Sequence, residues 1–344
     1  MHHLLYHANC ADGFAAACIA RHALLQRGIA PADINPQPVN YGWPDQLPLG
    51  KDQVLYPGDT LTYLDYTPPQ NTIDRFLEEY PENIIPLTII DHHQTAAPRH
   101  GRSKEKTENP PETSPTGWTS VFSFDHSGAS LAWQHYFPHD PAPEAINLVQ
   151  WRDLGHAFDP INAETPETQT RPVFDVVSAS KTRNAMSLHA YLFRCTPRTF
   201  EAWTPMLLDN NLDNVLFTGR FLRENVDRQI IRTAAANPIW LDFSQSPPLP
   251  VSPSPSLPLH RIPAVNGLGA ELVSDTCKAM LDAYPNAPFA ASWYVDHRTG
   301  NLTYSLRSRR GSDVNVAQIA AAMAPGGGGH PNAAGFSTPN PVPF

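Results

Sequence analysis

The sequence predicts an α/β protein: a parallel-sheet domain with helices on both faces, followed by a smaller α/β domain. Three observations carry that expectation. Short apolar runs alternate with helix-prone segments through the first half of the chain, which is the pattern of a parallel sheet covered on both faces. Those runs stop abruptly at Asp and His, as expected where ligands sit outside the carboxyl ends of the strands. And 344 residues exceed a typical domain of about 100 to 200, while a second strand-helix alternation begins near residue 237.

In order, HLLYH (3–7) reads as a buried strand and GFAAACIARHALLQ (13–26) as an Ala-rich helix. LTYLD (61–65) reads as a strand, IDRFLEEY (73–80) as a helix and PLTIID (86–91) as a strand. Residues 209–236 form a long helix-prone stretch with apolar residues near helical spacing. Strands are then predicted at 238–242, 259–265, 289–295 and 302–308, with helices at 270–284 and 314–323. Two Pro/Ser-rich segments, 103–117 and 244–258, lack periodicity and read as surface insertions without a catalytic role.

A hydrophobic fraction of 41% supports real cores, and a formal net charge of −9 argues against a long basic track for duplex nucleic acid, whose binding draws on Lys and Arg. Small or short anionic substrates remain compatible with it, because an acidic site inverts its local electrostatics on holding divalent cations. Cys10, Cys18, Cys195 and Cys277 have no CxxC spacing, so a reducing cytoplasm is expected rather than a disulfide framework. No run approaches the roughly 18 apolar residues of a membrane span, and no membrane partner is expected.

The strongest local signal is IIDHHQT (89–95), an apolar strand ending in Asp91, His92 and His93. Asp and His supply oxygen and nitrogen to Mn²⁺, Zn²⁺ or Fe²⁺, and a ligating His usually needs a carboxylate to fix its tautomer; a structural polar cluster is the alternative. Asp65 ends another strand ahead of Thr-Pro-Pro, as a turn former or as a ligand. YHANCADGF (6–14) places His7, Cys10 and Asp12 before a helix, whose amino terminus suits phosphate. Asp153 follows the apolar segment AINLVQW, where an isolated acid would ordinarily be solvated. Near the end, GGGGHPNAAGF (326–336) lets backbone approach an anion without a Cβ in the way. Among nearby arginines, Arg307 at the end of LTYSLR is the candidate for a planar phosphate fork, while Arg309 and Arg310 are expected in an exposed turn. Trp293, Tyr294, Tyr304 and Phe336 serve either as core or as stacking surfaces for a base.

These five motifs, in this order, resemble the DHH phosphoesterase family, which includes RecJ-like exonucleases, oligoribonucleases, cyclic-dinucleotide phosphodiesterases and family II inorganic pyrophosphatases. The resemblance spans essentially the whole chain and is greatest to the small oligoribonuclease-type members. It implies a DHH catalytic domain over residues 1–165, a helical connector over 166–236 and a DHH-associated substrate-binding domain over 237–344. It further implies Asp65 as the acid bridging two metals, His92 as a direct ligand, and Asp12 and Asp153 as ligands on opposite metals. His7 and Cys10 are further candidate ligands. His93 resembles a histidine that faces substrate and Asp91 an orienter. Gly327, Gly328, Gly329, His330 and Asn332, with Arg307, would hold substrate phosphate or a terminal nucleotide.

One departure concerns the first motif, which in the family usually carries two acids, as in HxDxDG. Here Asp12 stands alone, with Cys10 where one register places the other acid; it is either a ligand for a softer ion or a small buried hydrophobe. The implied cofactors are two divalent ions, Mn²⁺ first, with Mg²⁺, Zn²⁺ or Fe²⁺ as alternatives. The expected reaction is two-metal hydrolysis of a phosphodiester in a short oligonucleotide or dinucleotide, by in-line attack of water on phosphorus. The alternatives are pyrophosphate or other phosphoester hydrolysis on the same centre, and a catalytically silent nucleotide-binding protein.

Overall fold

The computed structural model describes residues 1–8, 10–40, 55–80, 84–102, 118–156, 173–209, 211–243, 261–297, 299–339 and 341–342, with no side-chain description at 173–178, 226, 270 and 271. The Pro/Ser-rich segments at 103–117 and 244–258 lie outside the described residues. Those described form two compact units, one ending at Arg220 and one beginning at Phe221.

In the first unit, β1 (His2–His7), β2 (Ile34–Val39), β3 (Thr60–Leu64), β4 (Leu87–Asp91) and β5 (Thr119–Phe122) form one sheet in the order β2-β1-β3-β4-β5, with every pairing parallel. Both faces are buried. Leu4, Leu64 and Ile90 join a core with the helices α1 (Ala11–Gln26), α3 (Gly128–Tyr136), α4 (Glu144–Asp153), α5 (Val173–Arg194) and α6 (Phe200–Leu208). The alternate residues Leu5, Tyr63 and Ile89 are buried on the other side, and α2 (Gln70–Glu79) between β3 and β4 buries Ile73 and Phe76.

This strand order reverses direction between β1 and β3. The chain leaves β1 towards β2, then passes back over β1 to β3, β4 and β5. At such a reversal the connections diverge to opposite faces and open a crevice at the carboxyl ends of the strands. His7 closes β1 and Asp65 follows β3 at that point.

α1 explains how a third element reaches the crevice. Its Ala15, Ala16, Ala17 and Ala20 are fully buried, and side chains this small let α3 pack closely along it. The close approach brings the amino terminus of α3 to Asp12, in the first turn of α1.

β2 has no counterpart in the sequence reading, because Pro36 and Pro38 resemble loop punctuation. It is one of the two edge strands, where a residue that cannot donate is tolerated if its nitrogen faces away from the ladder. The four-residue β5 likewise escapes a periodicity search. The helical stretch expected over 209–236 is present as α7 (Asp213–Leu222) and α8 (Arg228–Ala236), interrupted by a π-helical turn at Arg223–Asp227.

The second unit holds a mixed sheet in the order β10-β11-β9-β8-β7-β6. Its strands are β6 (Ile239–Leu241), β7 (Ile262–Asn266), β8 (Phe289–Val295), β9 (Leu302–Ser308), β10 (Gly328–His330) and β11 (Ala333–Thr338). α9 (Ala270–Ala283) and α10 (Val316–Met323) pack with it, and Asn315 caps α10 by accepting from the amides of Ala317 and Gln318. The Gly-rich run is no open loop, since Gly328–His330 pairs antiparallel with Ala333–Gly335. Arg309 also departs from expectation. Its guanidinium is spent on the carbonyls of Ala287, Leu281 and Tyr284, which groups left over at the end of a helix require. Tyr304 and Phe336 are core, their rings stacked at 4.9 Å. Among the described residues no helix is long and apolar enough to cross a membrane.

Packing accounts for one glycine of the run. A Cβ on Gly327 would lie 2.1 Å from the carbonyl oxygen of Ala320 and 3.0 Å from the Cβ of Phe336, so α10 sits on β11 only because that atom is missing. Gly327→Ala is expected to cost about 1–3 kcal/mol by overpacking, measured as a lowered denaturant midpoint; an unchanged midpoint would show that α10 has room to move.

Candidate metal centre

Four side chains from four different segments meet at the carboxyl edge of the first sheet. Nε2 of His92, just after β4, lies 3.1 Å from Oδ1 of Asp65, 3.2 Å from Oδ2 of Asp153 at the end of α4, and 3.8 Å from Oδ2 of Asp12 on α1. Asp12, Asp65 and His92 are each 1% exposed. One imidazole nitrogen carries at most one proton, so it cannot satisfy three carboxylate oxygens. Those three oxygens have no partner with hydrogen-bond geometry. Buried charges of one sign are normally paired or coordinate a metal, and a divalent cation fits this donor set.

The electrostatics express the same conflict. Burial, together with Asp153 and Asp65, pushes the carboxyl of Asp12 well up, and burial raises that of Asp153 against the pull of His92. Asp65 goes the other way: burial alone would raise it, but the hydrogen bond with His7 and the adjacent imidazoles of His92 and His93 hold it well below the carboxylate range. Burial would lower His92, yet Asp153, Asp65 and Asp12 around it raise it to about 10.

Each ligand is aimed by neighbours. Oδ1 of Asp12 accepts from the Ser127 hydroxyl at 2.6 Å and the Ala129 amide at 3.1 Å, where the α3 dipole also favours an anion. That leaves Oδ2 directed at the centre. Gln150, on the same helix as Asp153, accepts from the Ser127 amide at 3.2 Å and holds this loop. Asp65 has φ 57°, the one positive value outside glycine among the described residues. Asp tolerates this region better than most side chains. Its two oxygens diverge, Oδ1 towards His92 and Oδ2 towards Nδ1 of His7 at 3.2 Å.

Asp91 belongs to the support. Its Oδ1 accepts from the amides of His92 and His93 and from Nδ1 of His93 at 2.7 Å, and its Oδ2 accepts from Thr67 at 2.6 Å. Both oxygens are engaged in hydrogen bonds, although Asp91 also clusters with Asp65 and His93. Burial opposes its ionisation, but the adjacent His93 keeps it far below the ordinary range. Thr67, donating its own proton to Asp91, accepts from Nε2 of His100 at 2.9 Å, so Nδ1 of His100 accepts from Ser120 at 2.6 Å. This assigns His100 as the neutral Nε2–H tautomer, in accord with burial lowering it to about 4.

His7, Cys10 and Asp65 also converge, with one ligand atom of each within 4.8 Å of the others. Thus His7, Cys10, Asp12, Asp65, His92, His93 and Asp153, with Asp91 behind them, are together in the first unit. Arg307, Gly327, Gly328, Gly329, His330 and Asn332 lie in the second. There the Gly327 amide donates to Ala324 within its own turn, at 3.0 Å, rather than outward as expected from the sequence. Nδ2 of Asn332 is engaged with Ser308 and the Arg309 carbonyl, while Arg307 donates Nε to Ser274 at 3.0 Å. Sequence reasoning missed Ser127, Gly128, Thr67, His100 and Ser120. HSGAS carries the first two, and a Ser before a helix is a cap signal, but nothing in one sequence says that the cap faces Asp12.

No family model matches the chain. A protein of Acanthamoeba polyphaga mimivirus designated R106 is 22% identical over 97% of this chain and 66% of its own length. Among solved structures, RecJ with Mn²⁺ from Thermus thermophilus aligns over 98% of the chain and 49% of its own, with 14% identity and a TM-score of 0.43. The pGpG-specific phosphodiesterase PggH from Vibrio cholerae aligns over 98% and 93%, with 13% identity and a TM-score of 0.35. CDC45 from Entamoeba histolytica aligns over 90% and 84%, with 10% identity and a TM-score of 0.46. The chain thus spans about half the length of that RecJ and just under two thirds of the viral relative.

Two outcomes follow from the geometry. A Cβ on Gly128 would lie 2.6 Å from the Cβ of Asp65 and 2.8 Å from Oδ2 of Asp12, so Gly128→Ala should weaken Mn²⁺ binding by roughly 10–100-fold in calorimetry; unaltered affinity would show the cradle to be slack. His100 gives a pH signature. Unfolded, it takes up a proton below about 6.5; folded, it resists until about 4, so its contribution to stability is present above 6.5 and lost as pH falls between those values. Between pH 7.5 and 5 the wild type should lose about 2 kcal/mol more than His100→Asn, and equal losses by denaturant titration would contradict the tautomer assignment.

Proposed function

We propose that this chain is a metal-dependent phosphoesterase of the DHH type that hydrolyses phosphodiesters of short oligonucleotides or dinucleotides. The observation that carries the reading is Asp65, one carboxylate with its two oxygens turned to two different ligand groups, His92 with Asp12 and Asp153 on one side and His7 on the other. A carboxylate so placed is suited to bridging two cations. When bound, two divalent ions would make a water nucleophilic at neutral pH and offset charge on the phosphoryl oxygens.

The protein supplies the rest. Ser127 and the Ala129 amide hold one oxygen of Asp12 and aim the other, and Asp91 fixes His93 through Nδ1, which turns its Nε2 away from the orienting acid as a group to meet substrate. The backbone at Asp65 holds the bridge in an orientation that no rotation of a flexible side chain need find. In the second unit, Arg307, Gly328, Gly329, His330 and Asn332 are proposed to bind substrate phosphate. Mn²⁺ is the proposed ion at the oxygen-rich ligands.

Asp65→Asn keeps the tolerance of a left-handed backbone and removes the bridging charge. It should lower turnover of pApA with Mn²⁺ by about a hundredfold or more while circular dichroism and thermal midpoint stay close to wild type. Retained turnover would refute the bridging role. Full metal loading of the wild type without hydrolysis of dinucleotide, cyclic dinucleotide or pyrophosphate would instead favour a silent nucleotide-binding protein, and pyrophosphate hydrolysis alone would favour the pyrophosphatase reading.

A further inference from the structure

The proposed two-cation centre is chemically lopsided, and the cause is Cys10. Its sulfur, an oxygen of Asp65 and a ring nitrogen of His7 lie within 4.8 Å of one another, whereas the other oxygen of Asp65 faces His92 and, at 3.8 Å, Nδ1 of His93, with the carboxylate of Asp153 beyond and no sulfur. Three features separate Cys10 from a small hydrophobe that merely fills space. It takes no part in the core that contains Cys18. It is partly exposed, unlike the buried Cys18 and Cys277, and His7 beside it is 17% exposed at its side chain, so a cation can arrive.

The third feature is its position. Cys10 is the residue before the first turn of α1, with extended backbone at φ −114° and ψ 137°, yet its side chain makes no capping hydrogen bond. Ser, Thr, Asp and Asn are the residues that favour such a position, so a cysteine is there for something other than the helix. Its backbone is nevertheless fixed, because Arg198 donates to the Cys10 carbonyl at 2.8 Å and the guanidinium lies over the rings of Phe14 and Phe193 at 5.3 and 5.8 Å. On this side of the acid, Nδ1 of His7 lies 3.2 Å from Oδ2 of Asp65, so a nitrogen and an oxygen donor already face one another beside the sulfur.

We infer that His7, Cys10 and Asp65 form a thiophilic subsite, so that this protein, on the two-cation reading above, holds two unlike ions. Thiolate with imidazole and one carboxylate suits Zn²⁺, Fe²⁺ or Co²⁺, while the carboxylate-rich side suits Mn²⁺ or Mg²⁺. Binding forms a sulfur–metal bond and releases the Cys10 proton to solvent, with no change of oxidation state.

Co²⁺ reads this out directly, since a cobalt–thiolate bond gives a near-ultraviolet charge-transfer absorption that oxygen and nitrogen ligands do not. Titrating the metal-free full chain should raise that band to saturation at one equivalent. The band should vanish in Cys10→Ser and persist in Cys195→Ser. Cys10→Asp should weaken Zn²⁺ relative to Mn²⁺ by roughly 10–100-fold. Absence of the band in the wild type, or its survival in Cys10→Ser, overturns the subsite. Should Cys10→Ser fail to fold, X-ray absorption of the zinc-loaded wild type decides, with a sulfur scatterer at about 2.3 Å expected and its absence contradictory. Hydrolysis of pApA without the band would leave the phosphoesterase reading standing and remove the subsite; the band without hydrolysis would do the reverse.

Discussion

Three carboxylates around one imidazole, two of them closed to water and the third, Asp153, only 23% exposed at its side chain, cannot all remain ionised unless positive charge joins them. Everything distinctive about the first unit follows from placing Asp12, Asp65 and Asp153 against His92 and then keeping them there. Desolvating an unpaired carboxylate costs several kcal/mol. A chain that gathers three of them calls for compensating positive charge, and the same carboxylates push the proton affinity of His92 up against its burial.

The fold makes that gathering possible at modest cost. Parallel strands deliver their last residues to one edge, and the reversal of direction between β1 and β3 opens that edge where His7 and Asp65 stand. Small alanines on α1 let α3 come close enough for Ser127 to bind Asp12. Behind the acids, the chain of Asp91, Thr67, His100 and Ser120 is fully hydrogen-bonded with a single consistent set of proton positions, so the second layer is rigid before any ligand arrives.

Much of this was legible in the sequence because strands that end in acids advertise themselves. Asp65, Asp91, His92 and His93 each follow an apolar run, and Asp12 precedes a helix, so their common edge could be inferred from alternation alone. Asp153 could not, because an acid at a helix end is ordinarily solvated; only the motif order singled it out. Gly128 and Ser127 act through space on residues more than sixty positions earlier, and no local pattern records such contact. Pro36 and Pro38 hid β2, since two prolines in one strand are best tolerated at a sheet edge, and edge status is a tertiary fact. Gly327 shows the converse: a residue type that suggests anion contact is explained by the approach of Ala320.

On the proposed reading one carboxylate, Asp65, serves two cations. Anomalous diffraction from crystals soaked in Mn²⁺, and separately in Zn²⁺, measures this directly. Two peaks flanking the Asp65 side chain, one beside His92 and Asp153 and one beside His7, are expected; a single peak, or peaks away from Asp65, would contradict it.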